Sequence, residues 1–509
     1  MRMKIKFYNK LIIISIIIAS SLIAESKIVA SDGQTDDRFG KNVVTTDNWV
    51  IVSANRDDDN GLNSGSVYAY YIDNDNFEEY KIQPLDGTSD DYFGKSISID
   101  NNWLAVGSVY DDENGIKSGS CYVFYFNGLN WIQHSKIIPS DGSPYDRFGY
   151  TVDIKNDILI VSAVYDDDFG NDSGSVYIYR KINNVWEFEQ KIFSPDIEEE
   201  DLFGLSLSIH DDIILASSVY DDDFGDNSGS VNSFVYTNSG WIHSQKILPS
   251  DGNEFDLFGN SIDQSDNILA IGSFYSDSDF NNSGSVYIYT KNDNFFEFSL
   301  KIQAYDASLN DKFGQMVTVY ENWVAVGSLN NDNGINSGSI YIYNILNEEI
   351  NASQKITASD GNEYDEYSIS ASLNNHKLVV GAHFDDDLGD DSGSIYLYTY
   401  RGCPYEYSCN YDLESLFFDN LVCIFEENGY DCNANCDFPI DECGACNGLG
   451  PNGDVNYDQN IDIVDILLIL EMLLGESLFN INSCTSDINM DNLVNITDII
   501  IIIENILEN

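Results

Sequence analysis

Positive charge is scarce in this chain. Lysine and arginine together number 24 against 85 aspartates and glutamates, a formal net charge of −61. Nucleic acid and anionic membrane surfaces are excluded as partners, because such a surface repels polyanions at long range. Histidine is scarcer still: five residues, His134, His210, His243, His376 and His383, at unrelated positions. None sits in an H-E-x-x-H stretch or beside a nucleophile, and Gly-x-Ser-x-Gly elbows and phosphate loops are missing too. Carboxylates abound, but only as recurring features, whereas acid–base catalysis needs one singular pair. The expectation is a protein that is not an enzyme. Cysteine is nearly absent before residue 403, where Cys121 stands alone, so disulfides are excluded there and Cys121 is expected to be a buried free thiol. Beyond the N-terminus no apolar run is long enough to span a membrane.

What is present is aromatic and apolar. Hydrophobic residues make up 43% and the chain has 33 Tyr and 27 Phe, ample for packed β-structure and unlike a disordered composition. The opening "MRMKIKFYNKLIIISIIIASSLIAES" has a basic start, an apolar run and a small-residue end at Ala24. It reads as a secretory signal over residues 1–24, which predicts an extracellular protein, secreted or held at the cell surface. Eight of nine cysteines fall between Cys403 and Cys484, an even number suited to disulfides in an oxidising compartment.

Repetition dominates the rest. A Phe-Gly pair recurs at Phe39, Phe93, Phe148, Phe203, Phe258 and Phe313, with a degenerate seventh copy at Tyr367-Ser368. A Ser-Gly-Ser follows each, beginning at Ser64, Ser118, Ser173, Ser228, Ser283, Ser337 and Ser392. Between these landmarks each unit predicts four strands: one after Phe-Gly, an apolar one such as "NWLAVGS", an alternating one such as "GSVYIY", and one ending in Lys-Ile. Both faces of the third strand are apolar or aromatic, so both must be covered, as when sheets stack. Four short strands per unit and Gly-rich turns predict propeller blades. The seventh unit stops before its Lys-Ile strand, while "ESKIVASDG" at Glu25 matches the "SQKITASDG" that precedes unit seven. The N-terminal segment is therefore expected to complete the last blade, closing a ring over 25–400 with no open sheet edge.

These units resemble FG-GAP repeats, the units of the integrin alpha-chain propeller and of many secreted bacterial proteins. The resemblance implies a calcium-containing platform for binding or cell adhesion. Integrin blades carry a D-x-D-x-D-G loop between the first two strands. Here that connection is short, as in "DIKND" from Asp153 to Asp157.

The acidic stretches lie instead between the second and third strands: Asp57 to Asp59, Asp111 to Glu113, Asp166 to Asp168, Asp221 to Asp223, Asp277 with Asp279, Asp332, and Asp385 to Asp387. The segments linking blades emerge on the same rim and add the aspartate two before each Phe-Gly. One face is thus expected to carry a ring of carboxylates. Oxygen-rich loops suit Ca²⁺, with Asp166, Asp168, Asp221, Asp223, Asp277, Asp279, Asp385 and Asp387 as candidate ligands. Asp, Asn, Ser and Gly are equally good turn formers that cap their own backbone. The aspartate before Phe-Gly reads as such a cap.

After Tyr400 the composition shifts to a Cys-rich spacer over 401–449, read as disulfide-stapled. Two related units follow within 450–509. Each has D-x-N-x-D and a further Asp at position twelve, the pattern of an EF-hand-like loop. Asp454, Asn456, Asp458 and Asp465 supply side-chain oxygens and Asn460 its carbonyl. Asp487, Asn489, Asp491, Asp498 and the Leu493 carbonyl do the same in the second loop. A helix is predicted after each. The pair resembles a type I dockerin, the duplicated calcium module that docks onto cohesin domains in cellulosome-like assemblies. Loop position six, usually glycine, is Gln459 and Asn492. The pair that meets cohesin is Ile463-Val464 and Ile496-Thr497.

The expected fold is mainly β: a seven-bladed propeller of four-stranded blades, then the spacer and a small α-helical calcium module. The expected function is that of a monomeric, non-catalytic Ca²⁺-binding protein. Its propeller engages an extracellular protein or glycan, and its C-terminus docks to a partner such as a cohesin-like domain. The alternative is a component or enzyme of an extracellular polysaccharide-degrading assembly.

Overall fold

The computed structural model describes residues 25–399, apart from 74–75, 278–279, 331–333, 347–348 and 375–376, together with 466–470, 494 and 499–503. The chain divides into two compact units, Ala24–Thr399 and the remainder. The signal segment and the spacer, 1–24 and 401–449, lie outside the described residues.

Ala24–Thr399 forms seven four-stranded antiparallel sheets. In the third blade the strands are Phe148–Lys155, Ile158–Ala163, Ser175–Ile182 and Val185–Ile192, paired in chain order. The first strand of each blade touches the first strands of both neighbours, so these seven strands surround the axis. The closing blade joins Ser370–Asn374, Lys377–Ala382 and Ser394–Thr399 to Glu25–Ile28, with Glu25 opposite Tyr398 and Ile28 opposite Ile395. The N-terminal segment closes the ring as its Lys-Ile ending predicts.

The core lies between blades. Cys121 and Val123 of blade two pack with Phe148, Val161, Tyr177 and Tyr179 of blade three. Alternation on the third strand makes this possible: Val176 and Ile178 face blade four and Tyr177 and Tyr179 face blade two, all buried. Cys121 is a fully buried free thiol whose pKa burial pushes up to about 12.

The two sequence landmarks prove to be halves of one joint. The Phe93 amide donates to the Ser64 carbonyl of the preceding blade at 3.0 Å, and Phe148 donates likewise to Ser118 at 2.8 Å. Each such Phe ring is fully buried and stands edge-on to a third-strand aromatic, a tyrosine as where Phe148 meets Tyr177 at 5.3 Å, or Phe234 for Phe203. Burying one such ring contributes about 1.5–3 kcal/mol. Glycine is obligatory where the backbones meet: a Cβ on Gly119, at φ +81°, would lie 2.1 Å from the Phe148 carbonyl oxygen.

Within the second unit, Ile466–Leu470 and Ile499–Ile503 are helical and follow the two predicted loops directly. Ile469, Ile499 and Ile502 are buried together, whereas Leu467, Leu470, Ile500 and Ile503 are exposed. Among the described residues no helix is long and apolar enough to cross a membrane.

Candidate functional site

Three adjacent carboxylates such as Asp166 to Asp168 repel one another unless each has its own donor. The structure supplies three. Asp166 is buried; its Oδ1 accepts the Asp168 amide at 2.9 Å, and its Oδ2 accepts the hydroxyls of Ser175 at 2.8 Å and Tyr177 at 3.0 Å. Asp167 turns away and accepts the Asp172 amide at 2.8 Å, capping the loop. Asp168 points back to the blade. Between Asp166 and Asp168 sits a cation, the ammonium of Lys191 from the Lys-Ile strand, 2.7 Å from one and 2.5 Å from the other. Asp141, on the segment arriving from blade two, adds a third carboxylate at 3.3 Å.

This lysine cage recurs around the rim. Lys81 holds Asp32, Asp57 and Asp59, and Lys136 holds Asp86, Asp111 and Glu113. Lys246 holds Asp196, Asp221 and Asp223; Lys27, on the closing strand, holds Asp360, Asp385 and Asp387. The expected ligand pairs therefore do converge, on a tethered ammonium that occupies the centre of their oxygens. Burial alone would raise the Asp166 carboxyl, but Lys191 and the surrounding donors hold it below the usual range.

Blade five departs from the expected set. Asp277 stands at the position of Asp167, not of Asp166, and accepts the Asn282 amide at 2.8 Å as a turn cap. Ser276 takes the cage position, and Asp279 lies outside the described residues. There Lys301 pairs with Asp251 at 2.8 Å.

The aspartate two before each Phe-Gly caps its own linker. Asp146 accepts the Ser143 amide at 2.7 Å, and Asp37, Asp91, Asp201, Asp256, Asp311 and Asp365 make the same bond. Burial pushes Asp37 and Asp146 up to about 7 and Asp201 and Asp365 up to about 6. The turn reading of these aspartates holds.

Sequence reasoning missed two features of this rim. The first is the lysine cation, visible only as an unexplained Lys before Ile in every copy. The second is a backbone strain: residues one before and three before each buried Phe or Tyr adopt positive φ. Tyr145, Phe255 and Tyr364 take that conformation at φ 75°, 67° and 74°, which bulky residues rarely adopt. Their side chains are more than half exposed.

On the opposite rim, His210 bonds Asp266 at 2.7 Å and ties the turns of blades four and five. Its Nε2 also lies 3.9 Å from a carboxylate oxygen of exposed Asp211. His383, directly after the strand Lys377–Ala382, is buried, and burial together with Lys41, Arg38 and Arg56 keeps it neutral.

The ten expected ligands of the C-terminal loops, Asp454, Asn456, Asp458, Asn460, Asp465, Asp487, Asn489, Asp491, Leu493 and Asp498, lie outside the described residues.

Comparison with known families agrees with this architecture. The FG-GAP repeat matches seven times, over 23–70, 77–124, 131–179, 186–235, 241–289, 297–343 and 351–398. The chain belongs to the FG-GAP repeat family. Each match starts within two residues of the first residue of a blade's outermost strand and ends in the third strand of the next, so the sequence repeat is one strand out of phase with the blade. Residues 452–507 match the Dockerin type I domain, so the chain carries a dockerin after its propeller. No curated protein matches the chain.

Proposed function

We propose that this chain is a non-catalytic extracellular binding protein, with the propeller as ligand platform and the dockerin as the module that attaches it to a cohesin-type partner. The observation that carries the platform reading is the rim bearing Tyr145, Phe255 and Tyr364. Bulky residues at positive φ cost stability, and that cost persists where exposure of the side chain serves recognition. The lysine cages beneath them hold the loops rigid. Around the rim the acids recur blade by blade as structural parts, without the single acid–base pair a hydrolase needs.

Calcium belongs in this reading to the dockerin. Its two loops offer aspartate and asparagine oxygens at alternate positions, a donor set that suits a hard divalent cation. Ile469, Ile499 and Ile502 join the two helices, leaving Leu467, Leu470, Ile500 and Ile503 as an apolar face for a partner. In the propeller the ammonium already fills the cage, so metal is not needed there.

The test is to incubate the full chain with a polysaccharide panel and with a cohesin domain, each with and without EDTA. Retention without released sugars, and cohesin capture abolished by EDTA, are the expected outcomes. Released sugars would overturn the non-catalytic reading, and EDTA-insensitive capture would overturn calcium's role in docking.

A further inference from the structure

Among the basic residues outside the cages, three stand at neighbouring places on one rim. Lys41 and Lys95 stand two residues after the buried Phe of blades one and two, and Arg147 one residue before that of blade three. These are the starts of the innermost strands, around the axis on the cage rim, a region called the mouth below. The same positions in blades four and five hold Leu205, Asn260, Leu202 and Leu257; Arg38 of blade one and Lys312 of blade six repeat the Arg147 position and Glu366 of blade seven is acidic, so positive charge concentrates on blades one to three with one further cation in blade six. Lys41, Lys95 and Arg147 have no carboxylate within ion-pair distance among the described residues, although the chain carries a net charge of −61. Burial first, then the nearby Lys95, push the Lys41 ammonium down to about 8, against the opposing pull of Glu366.

Aromatic faces interleave with these cations. The Arg147 guanidinium lies 4.1 Å from the ring centre of Tyr165 and 5.2 Å from that of Tyr110, and its Nε is buried without a partner. The Lys95 ammonium stands 4.4 Å over Tyr150. Cations placed on tyrosine rings, and left without acids in an acidic protein, form a surface for a ligand with flat apolar faces and spaced negative charges.

Resting on the reading of the propeller as a platform, we infer that the mouth over blades one to three binds an anionic carbohydrate chain through its carboxylate or sulfate groups. Sugar rings stack on tyrosine through their C–H faces, and an anionic substituent reaches Lys41, Lys95 or Arg147. A nucleic acid fits worse, because its dense phosphates meet the carboxylate-rich rim outside the mouth. An acidic peptide supplies the charge without the flat face.

The experiment is calorimetric titration of the full chain with hexamers of polygalacturonate, a sulfated galactan, a neutral glucan and poly-glutamate. The charged sugars are expected to bind, more weakly as salt rises, with the stronger of the two naming carboxylate or sulfate as the group recognised. Lys41→Gln, Lys95→Gln and Arg147→Gln should each lower affinity about tenfold, in line with loss of one charge-assisted contact. Tyr165→Ala should lower it too, while Tyr165→Phe, which keeps the ring, should not. Thermal melts of each variant separate lost binding from lost folding. Equal binding of the neutral glucan, preference for poly-glutamate, no binding of either charged sugar, or undiminished binding by folded variants would each overturn the inference. Retention of another polysaccharide by those variants would leave the platform reading standing while this inference fell.

Discussion

At the scale of single residues, the cage lysines replace what a metal would do. Lys191 is raised because its bonds to Asp166, Asp168 and Tyr177 outweigh the burial that would lower it. Removing the ammonium leaves buried Asp166 uncompensated, the expensive half of a broken pair. Lys191→Met should therefore cost about 2–3 kcal/mol, the worth of hydrogen bonds to charged groups, read as a lower denaturant midpoint. Lys301→Met, which breaks one described ion pair where Ser276 replaces the acid, should cost less. Equal losses at the two sites would show that the carboxylate count is irrelevant. Asp277→Ala removes a turn cap and should cost about 1 kcal/mol, with no effect of EDTA on the unfolding of residues 25–399 with or without the substitution. Part of this was legible beforehand: the aspartates were located on the right rim, and the linker aspartates were read as caps. Their counter-ion was not. Lys191 lies 23 residues from Asp168 and 50 from Asp141, separations that only the folded blade brings together. The different role of Asp277 is visible only in register, because Tyr275-Ser276-Asp277 aligns with Tyr165-Asp166-Asp167 and sets Asp277 one residue late.

At the scale of the element, the strand Glu25–Ile28 carries more than its four residues imply. It pairs with Ser394–Thr399, places Lys27 in the cage of the closing blade, and accepts the Tyr398 hydroxyl on Glu25 at 3.0 Å. A chain starting at residue 29 should keep the cages of Lys81, Lys136, Lys191 and Lys246 but expose Ser394–Thr399 as an open edge. Limited proteolysis is expected to cut it first in the last blade, and Lys27→Met should show a milder form of the same pattern. Uniform resistance would mean that closure depends on packing alone. This element was legible in the sequence, because the match between "SKIVASDG" and "QKITASDG" extends over the strand and its linker together. The strained backbone of Tyr145, Phe255 and Tyr364 was not. At the same position Asp36, Asp90, Glu200 and Asn310 occur, polar residues that hide the conformation from any pattern of residue type.

At the scale of the whole molecule, two sets of carboxyls oppose each other in pH. The linker aspartates, raised to about 7 at Asp37 and Asp146, stabilise the fold below the ordinary carboxyl range and lose that contribution as pH rises through about 7. The cage aspartates, lowered at Asp32, Asp86, Asp166, Asp196 and Asp360, stabilise it above that range and lose the contribution as pH falls through their depressed values. Self-repulsion of a surface with net charge −61 also grows with pH. Melting temperature of residues 25–399 should thus peak in mild acid, at about pH 4–5, and decline on both sides. A maximum at or above pH 7 would contradict the linker values. Closure has a further consequence, in the time course of synthesis. Glu25 and Tyr398 are 373 residues apart, so the first part of the propeller to be made is among the last to find its place. Until the final strand exists, Glu25–Ile28 has no partner and Lys27 no cage. An interrupted chain is left with an unfilled edge that quality control can detect, and only a chain finished through Thr399 can lock itself shut.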